Sequence, residues 1–370
     1  MQTLAIISTQ AFSIVNFRGS LIRELVLNKV CVYALASDYD PQTRRAVIEL
    51  GAIPIDFQME RANLHPVNDL LNCIRLYIIL KKLKPDTVLN YFIKPVIYGT
   101  VVAKISNVSN IVVLIEGLGY SFTETLGYKK KVLNTLVSIL YRFSLKFAKS
   151  IVFMNKDDMN LFISKKIVPK NKPINLNGIG VNLNKWKFKV PLLNPLTFIF
   201  IARLLKEKGV YEFINAAKII KNKYPRTRFI VLGAVDVNPS SIAHDEINAW
   251  VNSGLIEWPG HVDVSKWLEQ SSVFVLPSYR EGLPRSTQEA MAVGLPVITT
   301  DVPGCRETVL DGINGYLIPP KDTKALVDTM LKFINNPDTI VSMGKNSFEF
   351  AKENFDEKIK NEIIVKLLNK

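Results

Sequence analysis

The sequence predicts an α/β protein made of two parallel-sheet domains, and three observations carry that prediction. Short apolar runs of strand length alternate with helix-period segments from Leu4 onward, the pattern of a sheet covered by helices on both faces. The alternation begins afresh at Leu196, just after Pro191-Leu-Leu-Asn-Pro195 brings two prolines close together. A chain of 370 residues, 48% of them hydrophobic, is long enough for two cores. The domains are drawn at 1–190 and 191–354, with a C-terminal helix in 355–370 packing back on the first.

In the first half, Leu4–Ser8 reads as a strand. Thr9–Arg18 reads as a loop leading into a helix that ends near Asn28. Val30–Ala36 is a second strand, Gln42–Leu50 a helix stopped by Gly51, and Ile53–Phe57 a third strand. Pro66 suits a helix's first turn and opens a helix to Lys84. Thr87–Tyr91 is a strand, Val96–Ser106 a helix, and Ile111–Ile115 a strand. Glu116 comes next, directly before Gly117-Leu118-Gly119. A carboxylate at a strand's carboxyl end points into the crevice where ligands of such sheets collect, or sits exposed on a turn. Lys129, Lys130 and Lys131 open a long helix, Tyr128–Phe147, whose surface mixes basic with apolar residues. That mixture suits a membrane interface, or a core-packed helix with one wet face. Ser150–Asn155 is a further strand and Gly178–Asn182 a loop.

In the second half, Leu196–Ala202 is a strand followed by Arg203, Lys208 and Gly209, then a helix to about Lys223. Arg228–Leu232 is a strand, Ser240–Asn252 helical, Ile256–Trp258 a strand, and Val264–Gln270 a helix. The stretch Val273–Asp301 is a strand–loop–helix–strand unit: Val273–Leu276 is ended by Pro277 and Ser278, Pro284 begins the helix, Gly294 and Pro296 end it, and Val297–Thr299 resumes as strand. Tyr316–Ile318 is a last strand, and helices from about Asp322, Thr339 and Asp356 close the chain.

Charge and cysteine usage narrow the function. The chain carries 47 Lys and Arg against 33 Asp and Glu, a formal net charge of +14. Residues 1–190 hold 26 basic and 12 acidic residues, and the remainder 21 of each, so the whole excess lies in the first half. Nucleic acid, an anionic membrane and an anionic acceptor all fit a basic face, as does a solvated surface. Aromatic interleaving of the kind that stacks single-stranded bases is not evident. Cys31, Cys73 and Cys305 lack metal-ligand spacing and are odd in number, which points to a reducing compartment. No apolar run approaches bilayer length and no basic leader precedes the first strand, so the protein is expected in the cytosol or on the cytosolic face of a membrane.

The candidate chemistry gathers around Val273–Asp301. Glu281 lies at a strand's carboxyl end and Glu289 on the following helix. Backbone N–H groups around Leu283, Arg285 and Ser286 form a seat for phosphate at the helix start. Carboxylates beside an anion seat suit sugar hydroxyls, because a carboxylate accepts two hydrogen bonds from a diol. The spacing itself is common: Glu116/Glu124 and Glu349/Glu357 repeat it. Arg203 and Lys208, just past another strand, can reach the same crevice edge and hold a diphosphate. On this reading no Asp-x-Asp motif or carboxylate cluster points to a divalent cation, and neither a Walker A loop nor a G-x-G-x-x-G follows the first strand.

These residues together resemble a family. Ala202-Arg203 through Lys208-Gly209, Pro277-Ser278 with Glu281-Gly282-Leu283-Pro284 through Glu289-Ala290, Gly294-Leu-Pro-Val297, and Asn314-Gly315 are similar to family 4 of the retaining glycosyltransferases. The resemblance implies a GT-B fold of two facing Rossmann-like domains, and metal-independent transfer from a nucleotide sugar held by the C-terminal half. Carried over by position, Arg203 and Lys208 hold the diphosphate, Glu281 contacts hydroxyls of the donor sugar, and Glu289 binds the ribose diol. Gly282, Leu283, Pro284, Arg285, Ser286 and Val262 complete the donor site. Asn16-Phe17-Arg18, Glu116-Gly-Leu-Gly119 and Asn238-Pro239-Ser240 resemble enzymes that add N-acetylgalactosamine or a related sugar to undecaprenyl-diphosphate-linked saccharides in bacteria. That likeness implies a UDP-sugar co-substrate, acceptor contacts at Asn16, Arg18 and Gly117, and a catalytic role for Glu116. The charge excess of the first half and the Tyr128–Phe147 helix lead to the expectation of a peripheral position on the cytoplasmic face of the inner membrane through Lys129, Lys130 and Lys131. No cofactor, metal or nucleic-acid partner is expected. Two departures stand out: the first loop lacks the glycine pair many members carry, and Glu116 stands where many have histidine. Transfer to another acceptor, and a nucleotide-sugar 2-epimerase, are the competing readings; an epimerase acts without acceptor.

Overall fold

The computed structural model describes residues 2–59, 66–118, 122, 128–236 and 238–369. The chain divides into two compact units, Met1–Ile179 with Ile359–Lys370, and Gly180–Lys358.

The first unit alternates strand and helix: β1 (Thr3–Ile7), α1 (Ala11–Leu27), β2 (Cys31–Ala36), α2 (Pro41–Glu49), β3 (Ile53–Asp56), α3 (Pro66–Leu83), β4 (Thr87–Tyr91), α4 (Thr100–Ile105), β5 (Asn110–Ile115), α5 (Tyr128–Ser144), β6 (Ser150–Phe153), α6 (Lys156–Ser164) and β7 (Pro173–Asn175). Among the described residues the strands form one parallel sheet in the order β3-β2-β1-β4-β5-β6-β7. Ile7 stands in register with Leu35 on one side and Asn90 on the other, so the winding reverses direction between β1 and β4. Buried Val, Ile and Leu fill the central strands on both faces, as a sheet sandwiched between helices requires.

Three local readings change. Thr9–Arg18 is not a loop: α1 begins at Ala11, with Ala11, Ile14, Arg18, Leu21, Ile22 and Leu25 buried at helical spacing. The arginine in that buried row interrupts the apolar period, which hid the start of the helix. Pro95–Gly99 forms a π-helical turn leading into α4. The helix α6 and strand β7 were not expected, although Asn155 caps α6 by accepting from the Asp158 N–H at 2.7 Å.

The second unit contains β8 (Thr197–Ile201), α7 (Val210–Lys223), β9 (Arg228–Leu232), α8 (His244–Asn252), α9 (Ser265–Leu268), β10 (Val273–Leu276), α10 (Arg285–Ala292), β11 (Val297–Thr300), β12 (Gly315–Ile318), α11 (Thr323–Asn335) and α12 (Asp338–Asn354). Its strands, again all parallel, run β12-β11-β10-β8-β9 among the described residues. The segment expected as a strand at Ile256–Trp258 makes only an isolated bridge, Glu257 to Ile230.

The division of the chain falls ahead of Pro191–Pro195, because residues just before those prolines already pack with the second unit. Val181 and Trp186 are buried in its core, and the Val181 N–H donates to Phe355 O at 2.8 Å. The last helix, α13 (Glu357–Leu368), returns to the first unit: Thr87 Oγ1 and Asn110 Nδ2 both donate to Leu368 O at 3.0 Å. Glu349 and Glu357 lie on two different helices, α12 and α13.

Candidate active site

In the second unit β8 and β10 are neighbours, while β9, the next strand in the chain, lies on the far side of β8. The winding therefore reverses between β8 and β10, and the crevice outside their carboxyl ends is where such sheets bind ligands. Arg203 and Lys208 follow β8; Ser278 and Glu281 follow β10. Lys208 ends a short 3₁₀ turn, Lys206–Lys208, and Gly209 follows it in the left-handed conformation with φ 76°. A Cβ on Gly209 would stand 2.2 Å from Pro277 O, so only glycine lets the two loops meet this closely.

That approach brings Lys208 to Glu281. Lys208 Nζ lies 2.6 Å from Glu281 Oε1, and Ser278 Oγ donates to the same oxygen at 2.8 Å. Both members of the pair are about 15% exposed, so the charges are held largely away from water. The backbone behind them is also tight: the Glu281 N–H donates to Pro303 O at 3.1 Å, and a Cβ on Gly304 would come within 2.4 Å of Glu281 O. Arg203 is more open and pairs with Asp236 at 2.8 Å. Here the two cations expected to hold a diphosphate are each engaged with a carboxylate.

Gly282, Leu283 and Pro284 lead from Glu281 into α10, which no side chain caps at its N-terminus. Its first-turn N–H groups are donors that the helix cannot use internally, and the dipole there favours an anion. Gln288 holds the approach from inside, its Nε2 donating to Leu283 O and Pro284 O at 3.4 Å while its Oε1 accepts from the Gly180 N–H at 3.1 Å. Glu289 is paired one turn back with Arg285 at 2.9 Å. Burial pushes the Glu289 carboxyl above its usual range, opposed by the nearby Arg285 guanidinium and, more weakly, by Lys185. Ser286 lies beside Arg285 in the first turn, half-buried, and Val262 is half-buried against the core of this unit.

In the first unit the winding reverses between β1 and β4, and a second polar cluster gathers at the carboxyl ends of β1, β4 and β5. Ser8 Oγ and Tyr91 OH each lie 2.9 Å from Ser13 Oγ. Arg18 lies over the Tyr91 ring, 4.6 Å from its centroid, and pairs with Glu116. Only 1% of the Arg18 side chain is exposed. Burial pushes the Glu116 carboxyl up, and the Arg18 guanidinium opposes that rise. The same burial pushes the Tyr91 phenol up to about 12. Gly117 continues the chain at φ 151°, a conformation side chains rarely adopt.

The residues grouped as acceptor contacts separate in the structure. Arg18 is turned inward and held by Glu116, whereas Asn16 lies exposed on α1 with its Nδ2 donating to Phe12 O at 2.9 Å. Gly119, Glu124 and the side chains of Lys129 and Lys130 lie outside the described residues, and Lys131 is exposed on α5. The sequence reading gave no site role to Ser278, Asp236, Ser13 or Tyr91. Of these, Ser278 had a signal, its place at the end of β10 beside Glu281. The expectation that the chain holds no Asp-x-Asp motif was wrong, since Asp38-Tyr39-Asp40 is one. Both carboxylates serve helix starts: Asp38 accepts from the Ala11 N–H at 2.6 Å and Asp40 from the Thr43 N–H at 2.7 Å. Among the described residues no group of three or more His, Cys, Asp or Glu side chains is placed to hold a metal ion.

Comparison with known proteins places both units. Residues 183–350 match the glycosyl transferases group 1, and residues 29–155 match the glycosyl transferase 4-like family. The chain is 29% identical to an N,N'-diacetylbacillosaminyl-diphospho-undecaprenol α-1,3-N-acetylgalactosaminyltransferase of Campylobacter jejuni, across 99% of this chain and 98% of that one. It is 26% identical to a UDP-Gal:α-D-GlcNAc-diphosphoundecaprenol α-1,3-galactosyltransferase of Escherichia coli, across 83% and 82% of the two chains. In structure it resembles a sucrose-phosphate synthase from Thermosynechococcus elongatus, with a TM-score of 0.81 at 16% identity over 99% of this chain and 98% of that one. That likeness is one of fold.

Proposed function

We propose, for a chain that belongs to the GT-B glycosyltransferases through a group 1 domain and a glycosyl transferase 4-like domain, that it moves an N-acetylhexosamine from a UDP-sugar to an undecaprenyl-diphosphate-linked saccharide in bacterial glycan assembly. The observation that carries this reading is the Lys208–Glu281–Ser278 constellation at the β8/β10 switch point, beside the uncapped start of α10. A cation, an anion seat and a carboxylate that can meet a diol are the groups a nucleotide sugar needs. The names of the two relatives supply the acceptor class.

The proposed transfer retains the donor's anomeric configuration. The acceptor hydroxyl attacks the sugar's anomeric carbon on the face from which diphosphate leaves. The bond from that carbon to the diphosphate oxygen breaks, and a donor phosphate oxygen accepts the hydroxyl proton. Arg203 and Lys208 stabilise the charge that builds on the diphosphate; Lys208 is then shared between that group and Glu281. Glu281 meets donor hydroxyls, Glu289 the ribose diol, and Glu116 orients the acceptor hydroxyl or steadies positive charge on the ring. No metal takes part, and chelation by EDTA is expected to leave turnover intact; its abolition would assign the diphosphate to a cation.

Among the described residues no helix is long and apolar enough to cross a membrane. We propose peripheral attachment to the cytoplasmic face of the inner membrane, supported by the excess charge of residues 1–190 and by the basic start of α5. A panel of UDP-sugars incubated with and without lipid-diphosphate acceptors tests the reading. Acceptor-dependent release of UDP is expected; conversion of donor without acceptor would assign the chain to epimerisation.

A further inference from the structure

Asn16 and Arg18 stand two residues apart on α1, and a helix turns about 100° per residue, so they leave it on nearly opposite sides. Asn16 faces outward, whereas Arg18 is buried with 1% of its side chain exposed. One acceptor cannot meet both. An arginine keeps its charge wherever it is placed, because the guanidinium does not give up its proton in a protein. Taking that charge out of water is costly unless an anion and further hydrogen bonds meet it.

Three groups meet it here. Nη1 donates to Phe17 O at 2.9 Å, the Tyr91 ring of β4 lies under the guanidinium, and Nη2 donates to Glu116 Oε1 just past β5. The ring is itself held, since Tyr91 OH lies 2.9 Å from Ser13 Oγ and that hydroxyl donates to Gln10 O at 2.7 Å. The two members of the ion pair are unequal. Arg18 is sealed, while 16% of the Glu116 side chain stays open. Among the described residues none donates to Glu116 Oε2. The cation therefore has no face to offer a ligand, and the carboxylate has one. A buried ion pair seldom stabilises a fold more than apolar side chains of the same volume would, so this pair is better understood by what it does to its open member.

We propose that Arg18 is a positioning residue: it touches no substrate, and it holds the Glu116 carboxylate fixed and charged at the carboxyl end of β5. The proposal rests on the sugar-transfer reading, in which Glu116 meets the acceptor hydroxyl or the sugar ring, and it removes Arg18 from the acceptor contacts. Burial by itself favours the protonated form of Glu116, and the guanidinium opposes it. Tyr91 is the other titratable group facing this pair among the described residues. Its phenol is pushed up to about 12 and stays neutral at ordinary pH, so Arg18 alone supplies the opposing charge. The planar fork of the guanidinium also gives the bond a direction, which fixes where the carboxylate points.

The test uses the full chain. The Glu116 carboxyl carbon is titrated by NMR, its resonance identified by its loss in Glu116→Gln. Arg18→Met should move the midpoint to higher pH, and Arg18→Lys, which restores a cation, should bring it back toward wild type. A midpoint that Arg18→Met leaves in place would overturn the proposal. In turnover, Arg18→Met should lower kcat about tenfold or more, the worth of a hydrogen bond to a charged group. It should shift the acidic limb of kcat/KM to higher pH and leave the KM for acceptor near wild type. A raised acceptor KM with an unmoved limb would return Arg18 to the acceptor and overturn the proposal. The double variant Arg18→Met/Glu116→Gln removes both charges and leaves none buried alone, so it should stay folded by circular dichroism. Its kcat should fall no further than that of Glu116→Gln, and a larger loss would show that Arg18 acts other than through Glu116. Absence of transfer by wild type to any acceptor counts against the sugar-transfer reading alone, because the NMR titration is read without turnover.

Discussion

Glu281 accepts from Lys208 and from Ser278 on the same oxygen, Oε1, which leaves its other oxygen as the one a sugar hydroxyl would meet. Lys208→Ala should reduce kcat/KM by about 2–4 kcal/mol in transition-state stabilisation, by analogy with loss of an oxyanion donor. Ser278→Ala removes one neutral donor and should cost about 1 kcal/mol. Steady-state kinetics at saturating acceptor separates them; equal losses would mean that Lys208 acts only by holding Glu281. Glu116 gives a pH signature. Burial raises its carboxyl above the ordinary 4.5, so activity that needs the carboxylate falls as pH drops through a value above 4.5. Glu116→Gln should abolish that acidic limb in a profile of kcat/KM, and a limb that persists would place the titrating group elsewhere. At this scale the sequence was legible where a motif carried the residue, as for Glu281 and Lys208. It was not legible at Arg18: a buried arginine is rare, and only the fold brings Glu116 and the Tyr91 ring to it.

Among the elements, β4, β9 and β10 coincide with their sequence expectations because apolar runs are bounded by residues that cannot continue a strand, such as Pro277 after β10. Helix α1 starts earlier than expected because a polar residue sits in its buried row, and periodicity cannot anticipate a partner from a distant strand. Helix α3 conceals the opposite fact: apolar residues at helical spacing do not reveal which side meets the sheet. The returning helix α13 carries its own anomaly, Lys360, buried and donating to Leu176 O at 2.8 Å. Burial lowers its ammonium to about 8 from 10.5. A depressed lysine favours the neutral form on folding, so stability falls as pH drops from 10.5 through 8 and is constant below. Lys360→Met should therefore raise stability at pH 7 by roughly 1–2 kcal/mol after allowance for residual solvent contact, with the gain vanishing above the unfolded value. Urea unfolding at pH 7 and at high pH measures it; destabilisation at pH 7 would show that the bond to Leu176 outweighs the desolvation.

For the whole molecule, two parallel sheets were legible from strict alternation, since a crossover helix is needed between parallel strands. Strand order was not, because periodicity is silent on neighbours; yet strand order puts Lys208 and Glu281 at one reversal of winding and Glu116 beside another. The asymmetry of charge was visible at once; which residues of α3 and α5 face outward was not. Replacing Lys129, Lys130 and Lys131 by Glu should weaken sedimentation with anionic vesicles, each lysine contributing about 1 kcal/mol near the surface. Added salt should weaken wild-type binding in the same direction. The measurement that bears most directly on the central claim is the product itself. The chain is incubated with an α-linked UDP-N-acetylhexosamine and an undecaprenyl-diphosphate-linked saccharide, and the new linkage is read by NMR. The account predicts sugar transfer that depends on the acceptor and gives an α-linked product. A β-linked product, or donor converted with no acceptor present, would contradict it.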